Sequence, residues 1–237
     1  TRTTALTPTD STSSSTMVRL ASFLKNITSL LSPIISITTE GGGFGIFLPS
    51  ERYLGLFDDT DERFDASVRT KFYDKNGNLL TSAADPEYIA PHCKKYEDYD
   101  RVMDAGASSK NIYFIRYADL ILLYAECLLA ENDLAGAKQQ VIRVRNRAKV
   151  STPITASNNT EMLDFIYEER MRELGMEGWR RMDLIRRGAD YFAAQVDKYN
   201  PFAKGNVQPY HAFYPIPTNE INMNDGIGAE DQNEGYK

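Results

Sequence analysis

Little in this sequence is built for covalent or redox chemistry. Its 237 residues include two cysteines and two histidines. Cys93 and Cys127 are too few for a disulfide scaffold and lack the close pairing of a zinc site. Neither His92 nor His211 stands in a nucleophile-like pattern with a serine or cysteine, so a hydrolytic triad has no support. A basic excess is also missing: 27 Lys and Arg against 33 Asp and Glu leave a net charge of -6, which argues against nucleic acid as a partner. The longest apolar stretch, Ile27 to Ile37, is interrupted by Thr28, Ser29, Ser32, Pro33 and Ser36. It falls well short of the roughly 20 residues that a membrane-spanning helix needs.

What is present is ordinary for a folded soluble domain, with 42% hydrophobic and 25% charged residues, a balance that excludes general disorder. The chain opens at Thr1 with no methionine and no charged-then-apolar leader, so any signal peptide is expected outside it. Residues 1–16 are rich in Thr and Ser and read as a loop or extended tail. Helical spacing of Val18, Leu20, Phe23, Leu24, Ile27, Leu30 and Leu31 predicts a short helix over Met17–Leu31. Glycines, a proline and aromatics then predict a structured loop. Asn76-Gly77 predicts a two-residue hairpin turn inside a small β-ribbon over 66–82, because a type I′ turn needs positive φ at both central positions.

From Asn111 the character changes. RYADLILLYAECLLA is apolar on nearly every face and predicts a buried helix wrapped by others, with Cys127 as a small core residue and Cys93 unassigned. Asp133 is a natural N-cap for the next helix, whose Leu134, Ala137, Val141, Val144 and Ala148 follow 3-4 spacing. The pair predicts an antiparallel hairpin like one tetratricopeptide repeat. A third helix follows Asn159 or Thr160, with Leu163, Ile166, Tyr167, Met171 and Leu174 on one face. A fourth runs from Gly178 to Arg187 and stops at Gly188. Alternation of Tyr210, Ala212 and Tyr214 predicts an extended segment, and Thr218 to Ile221 a turn of helix.

Several clusters suggest chemistry, and each has a plainer structural reading. Glu168 and Arg172, or Glu169 and Glu173, lie four apart on one helical face, and closely spaced carboxylates can serve acid–base catalysis. Arg170, however, falls in the middle of an apolar face, and a buried guanidinium needs a carboxylate. The run is therefore read as a structural ion-pair network, with Glu126 or Asp119 as the partner of Arg170. A glycoside hydrolase would need two acids facing each other about 5 to 10 Å apart across a cleft. Gly41-Gly42-Gly43-Phe44-Gly45 lacks the Lys-Ser/Thr of a phosphate loop. Asp58, Asp59, Asp61 and Asp65 read as an acidic solvated turn in preference to a hard-cation site, so no metal and no cofactor is assigned. Phe44, Phe47, Tyr53 and Phe57, on the glycine-rich loop, are the candidate ligand-binding residues: flat rings can stack on the C–H face of a sugar. The competing reading packs them under the helices. Tyr191, Tyr199, Phe202 and Tyr210 form a second aromatic group, and Trp179 reads as core.

From Tyr113 to Tyr236 the sequence resembles the SusD/RagB family. The resemblance is carried by Arg116-Tyr117-Ala118-Asp119 with Leu122, Tyr124, Ala125 and Glu126, and by Val144-Arg145-Asn146-Arg147-Ala148. Glu169-Arg170, Glu173-Leu174, Glu177-Gly178-Trp179-Arg180 and Asp183-Leu184-Ile185-Arg186 continue it, followed by Tyr214-Pro215-Ile216-Pro217 with Glu220 and by Gln232-Asn233 with Gly235-Tyr236. Upstream, Asp61-Glu62-Arg63-Phe64 is similar to the family's Asp-Pro-Arg element, and Gly43-Phe44-Gly45 with Pro49-Ser50 to the loop before it. Ile142, Lys149 and Glu234 depart from the pattern, standing where the family often has Asn, Gly and Pro.

The resemblance implies a mainly α fold, with tetratricopeptide-like helical hairpins, long loops and a small β-ribbon. It implies that this chain is the C-terminal half of a lipoprotein on the external face of the outer membrane, anchored by lipid outside the chain. It further implies capture of a glycan or related nutrient without catalysis, and delivery to a SusC-like TonB-dependent transporter. The alternative is a tetratricopeptide-like adaptor that binds peptides in a groove. The expected organisation is a loop-rich, ligand-facing region over 1–110 and a helical region over 111–237, forming one compact unit.

Overall fold

The computed structural model describes residues 48–73, 79–80, 91–97 and 111–237. The tail 1–16, the helix expected over Met17–Leu31, and Phe44 and Phe47 lie outside the described residues. The described chain is dominated by helices, with two minimal antiparallel strand pairs, as the mainly α reading expects. It forms two compact units whose boundary falls inside two helices, well past residue 110. The first holds the described residues up to Leu123 together with Gln139–Thr155, and the second holds Tyr124–Lys138 and Ala156–Lys237.

In the first unit, α1 (Glu51–Leu54) begins where the Ser50 hydroxyl accepts a hydrogen bond from the Tyr53 amide, satisfying one of the donors a helix start leaves open. α2 (Arg63–Ser67) runs directly into β1 (Val68–Arg69). β1 pairs with β4 (His92–Cys93), Val68 opposite Cys93, which gives Cys93 a place in the core; burial pushes its thiol pKa up. β2 (Phe72–Tyr73) pairs with β3 (Leu79–Leu80), so a ribbon exists where it is expected. Its register differs from the expected one. Phe72 faces Leu80 and Tyr73 faces Leu79, whereas a two-residue turn at Asn76-Gly77 would set Phe72 against Thr81 and Tyr73 against Leu80. The turn residues 74–78 lie outside the described residues.

α3 (Tyr117–Ala130) and α4 (Leu134–Arg147) are joined by three residues, with Asn132 in the left-handed region at φ 63. The Asp133 carboxylate accepts from the Gly136 amide at 2.8 Å, the cap the sequence suggests. Arg143 donates to the Tyr117 hydroxyl at 3.2 Å, so α4 runs back along α3 as a hairpin. Ala137, Val141, Val144 and Ala148 are buried as their spacing requires. The expected all-round burial of α3 is not observed. Asp119, Leu122, Ala125, Leu128 and Leu129 are buried, while Tyr117, Leu120, Tyr124 and Cys127 form an exposed stripe. Where every face of a helix is apolar, periodicity carries no information about which side is covered. The core reading of Cys127 fails for the same reason. At the end of α4, Lys149 adopts φ 57, the conformation that favours glycine after a helix, at a position where the resemblance pattern often has Gly.

The second unit is built on α5 (Asn159–Leu174), which starts where the Asn158 side chain accepts from the Glu161 amide. Its most deeply buried line is Met162, Ile166, Glu169, Arg170 and Glu173, so charge sits where an apolar stripe is usual. α6 (Arg180–Arg186) ends at Gly188, whose φ of 105 is open only to glycine at low cost, with the Gly188 amide donating to Ile185 O at 2.8 Å. α7 (Ala189–Tyr199) follows at once and is absent from the sequence expectations. Leu184, Phe192 and Ala212 form a core cluster with Ile185, Val196 and Val207 around it. The segment expected to be extended at Tyr210 is instead a 3-10 turn, Pro209–Ala212, in which Gln208 N donates to His211 Nδ1 and Ala212 is buried. Burial of Ala212 fits a strand's alternation equally well, which is why the pattern misled. α8 (Thr218–Met223) lies where a helical turn is expected. No helix among the described residues is long and apolar enough to cross a membrane.

Candidate functional site

The charged run of α5 and α6 resolves into clamps. Arg170 is 2% exposed, and its guanidinium donates to Asp183, itself 2% exposed, through Nε and Nη2 at 2.9 Å each. Glu126 adds a longer contact at 3.8 Å and is held by Arg186 at 2.7 and 3.1 Å. Glu126 is therefore a partner of Arg170 as expected. Asp183 is the nearer one, and the sequence reading missed it because i,i+13 across a helix break has no periodic signature. Asp119 is buried in the first unit.

Arg172 binds Glu169 at 3.1 Å and Glu168 at 3.6 Å, and Glu169 and Glu173 are fully buried. Arg187 pairs with Asp164 and lies over the rings of Tyr167 and Tyr191, at 5.0 and 3.9 Å from their centroids. Burial, reinforced by the Glu126 carboxylate, pushes the Tyr167 pKa up to about 12. The Arg186 pKa is raised further by its hydrogen bond to Glu126. Asp183 and Glu169 are buried in pairs with Arg170 and Arg172, which is the structural role of this run and not the open cleft that the acid–base pair of a glycoside hydrolase needs.

The sequence-predicted ligand residues are placed unequally. Tyr53 is 4% exposed and packs edge-on to Phe57, with ring centroids 5.1 Å apart, so it is not presented outward as the loop reading supposes. Phe57 is half-buried and meets Phe64 edge-on at 5.6 Å. Phe57 and Phe64, with Leu54, form the apolar wall of a cavity of about 370 Å³, whose polar wall is Asp58, Asp59, Asp61 and Asp65. From the sequence, Phe64 is named only within the Asp-Glu-Arg-Phe element and not as a ligand contact. Its place one residue after an arginine that turns inward is a signal that only the structure makes legible.

The four aspartates divide by partner. Asp61 is buried and grips the buried Arg63 in a fork, at 2.8 Å to Nε and 2.7 Å to Nη2. That is the role of the Asp-Glu-Arg-Phe element. Asp58 accepts from the Thr60 amide at 2.8 Å and the Thr152 hydroxyl at 2.7 Å. Burial opposes its ionisation, yet these hydrogen bonds and the charge of Arg145 hold its pKa below the usual carboxylate range. Asp59 and Asp65 are exposed. Among the described residues no group of three or more His, Cys, Asp or Glu is arranged to hold a metal ion.

The second aromatic group is not brought together. Tyr191 lies under Arg187, Tyr199 beside Lys198, Phe202 is 96% exposed, and Tyr210 meets Tyr236 edge-on. Trp179 is half-buried at the start of α6. The Gln232-Asn233-x-Gly235-Tyr236 element works as a latch. The Gln232 side chain bonds both the N–H and the C=O of Ile216 at 2.7 and 2.9 Å, the Asn233 side chain donates to Tyr214 O at 2.6 Å, and the Tyr236 hydroxyl donates to Phe213 O at 3.0 Å.

Comparison with known proteins agrees with this architecture. The chain is 34% identical over 134 residues to a SusD-like protein of Formosa agariphila and 32% identical over 142 residues to the starch-binding protein SusD of Bacteroides thetaiotaomicron. These matches cover 54% and 57% of this chain but only 25% and 23% of the relatives. Among solved structures, the surface glycan-binding protein A of Bacteroides thetaiotaomicron, in complex with laminarihexaose, superposes with a TM-score of 0.65 at 23% identity, over 88% of this chain and 46% of that one. The surface glycan-binding protein A of Bacteroides uniformis gives 0.64 at 22% identity, over 88% and 47%. The chain thus spans less than half of each of these two structures, and these likenesses establish the fold. The sequence profile of the SusD family matches residues 48–236, and the chain belongs to that family.

Proposed function

We propose that this chain is the part of a cell-surface protein that holds a glycan without altering it and passes it to a TonB-dependent outer-membrane transporter. The observation that carries the proposal is the disposition of charge in a member of the SusD family. The acids and arginines that look most like catalytic machinery are consumed in buried pairs. Rings and exposed carboxylates are left to line a surface cavity. Phe57 is the proposed contact there: an apolar ring takes the C–H face of a sugar, and the carboxylates of Asp59 and Asp65 accept from its hydroxyls. Likeness to proteins named for binding starch and surface glycans, one of them holding laminarihexaose, supports the ligand class. Lipid anchoring and the external face of the outer membrane belong to the same proposal, as does a SusC-like transporter as partner.

Calorimetric titration with laminari-, malto-, cello-, xylo- and mannohexaose tests it. At least one hexaose is expected to bind and to be recovered intact by chromatography. Phe57→Leu, which keeps bulk but removes the flat ring, is expected to weaken binding at least tenfold. Cleavage of the hexaose, or capture of peptides with no glycan bound, would overturn the proposal. Surface protease treatment of intact cells and co-purification of a large β-barrel partner test the location and delivery.

A further inference from the structure

The second unit contains a larger cavity, of about 720 Å³, that the reading above leaves unused. Pro209, Tyr210 and Phe213 form its apolar wall, and Asn233, Glu234 and Gly235 the facing one. Phe213 is 58% exposed although it lies beside a buried core residue, Ala212.

The two walls are locked together before any ligand arrives. Tyr210 is held edge-on by Tyr236 at 5.1 Å and tilted against His211 at 4.2 Å. Gly235 has φ 85 and lies so close that a Cβ there would fall 2.2 Å from Tyr210 Cγ. The latch bonds from Gln232, Asn233 and Tyr236 fix the segment 213–216 to the segment 232–236. A cavity assembled in this way costs a ligand little ordering entropy, which is what lets a small, weakly binding group be held.

Its polar chemistry leans to acceptors. The Asn233 side chain commits one N–H to Tyr214 O and keeps its oxygen and a second N–H, and Glu234 adds a carboxylate. The two acceptors match a ligand rich in hydroxyl donors, and the Glu234 charge repels one that carries its own carboxylate. We infer that this cavity is a binding subsite for a neutral sugar residue, stacked on Phe213 and donating hydroxyl protons to Asn233 and Glu234. The inference rests on the reading of the chain as a glycan binder and adds a second place of contact, with a selectivity for uncharged sugars.

The full chain is titrated with the five neutral hexaoses named above and with hexagalacturonate. On a Phe57→Leu background the best neutral hexaose is expected to retain measurable binding, which Phe213→Ala weakens at least tenfold. Glu234→Ala, at an exposed residue, is expected to weaken it similarly by removing the acceptor. Hexagalacturonate is expected to bind at least tenfold more weakly than the neutral hexaoses, with Glu234→Gln narrowing that gap. If Phe57→Leu alone abolishes binding and neither tail-cavity substitution changes wild-type affinity, the second subsite is refuted while the proposed function stands. If Phe213→Ala abolishes binding and Phe57→Leu does not change it, the subsite stands and the cavity at Phe57 loses its assignment. If no hexaose binds, both readings fall. Equal binding of hexagalacturonate overturns the restriction to neutral sugars.

Discussion

Residues 58–65 and residues 168–187 are both dense in charge, yet the structure treats them differently. In the later stretch Arg170 and Asp183 are sunk in the core beside Glu169 and Glu173, each with a partner supplied by the fold. In the earlier stretch Asp61 is the one buried carboxylate, sunk together with Arg63, whose fork closes on it, while Asp59 and Asp65 face solvent beside Phe57. The lesson is that charge density marks neither a site nor a clamp. What decides is whether a cation reaches the carboxylate once water is excluded, since burial without a partner is heavily penalised.

Substitutions can break this contrast, and the largest effect is expected at its centre. Arg170→Ala leaves the buried Asp183 with Arg186 alone, at 3.0 Å, and should still lower unfolding free energy by about 3 kcal/mol, measured by urea denaturation. A loss below about 1 kcal/mol would mean the clamp is not structural. Asp61→Asn takes the negative charge out of the fork on the buried Arg63 in the first unit and should cost about 3 kcal/mol. That would show that the earlier stretch also has one clamp.

Tyr167 sharpens the contrast through pH. Its folded pKa, near 12, lies above the ordinary value of 10.0, so the folded state keeps the proton that the unfolded state has already lost. Its contribution to stability is therefore fully present below pH 10 and is lost as pH rises from 10 to 12. Tyr167→Phe should flatten the fall in thermal midpoint over that window; an unchanged slope would remove Tyr167 as its cause.

A smaller effect, of opposite sign, is expected at Lys149. Lys149→Gly relieves φ 57 and forfeits only the exposed pair with Glu62, for a small net rise in thermal midpoint. Last, Asp65→Asn alters an exposed carboxylate and should stay within about 0.5 kcal/mol of the parent. A larger loss would make Asp65 part of the scaffold and weaken its proposed role toward ligand.

Helix starts and stops were legible because their causes are local. Asp133 capping α4, Gly188 ending α6 and the 3-4 spacing of Ala137, Val141 and Val144 are fixed by residues within a turn or two of each other. The ion-pair network was legible in kind, since Arg170 on an apolar face required a carboxylate. Its nearest partner, Asp183, was not, because it arrives from the next helix. Of the candidate ligand residues, Phe57 keeps its place at a surface cavity, whereas Tyr53 next to the same loop turns into the core. Nothing in four letters of spacing distinguishes those two rings.

By itself, then, the sequence determined the family, the mainly helical fold and the places of α3 to α6 and α8, because backbone capping, periodicity and ordered motifs act over short separations. Only the tertiary structure decided which side of α3 is bare, that 209–212 is a turn, and which of many charges and rings stay at the surface. Those outcomes depend on what distant segments cover, and burial is a property of the assembled chain.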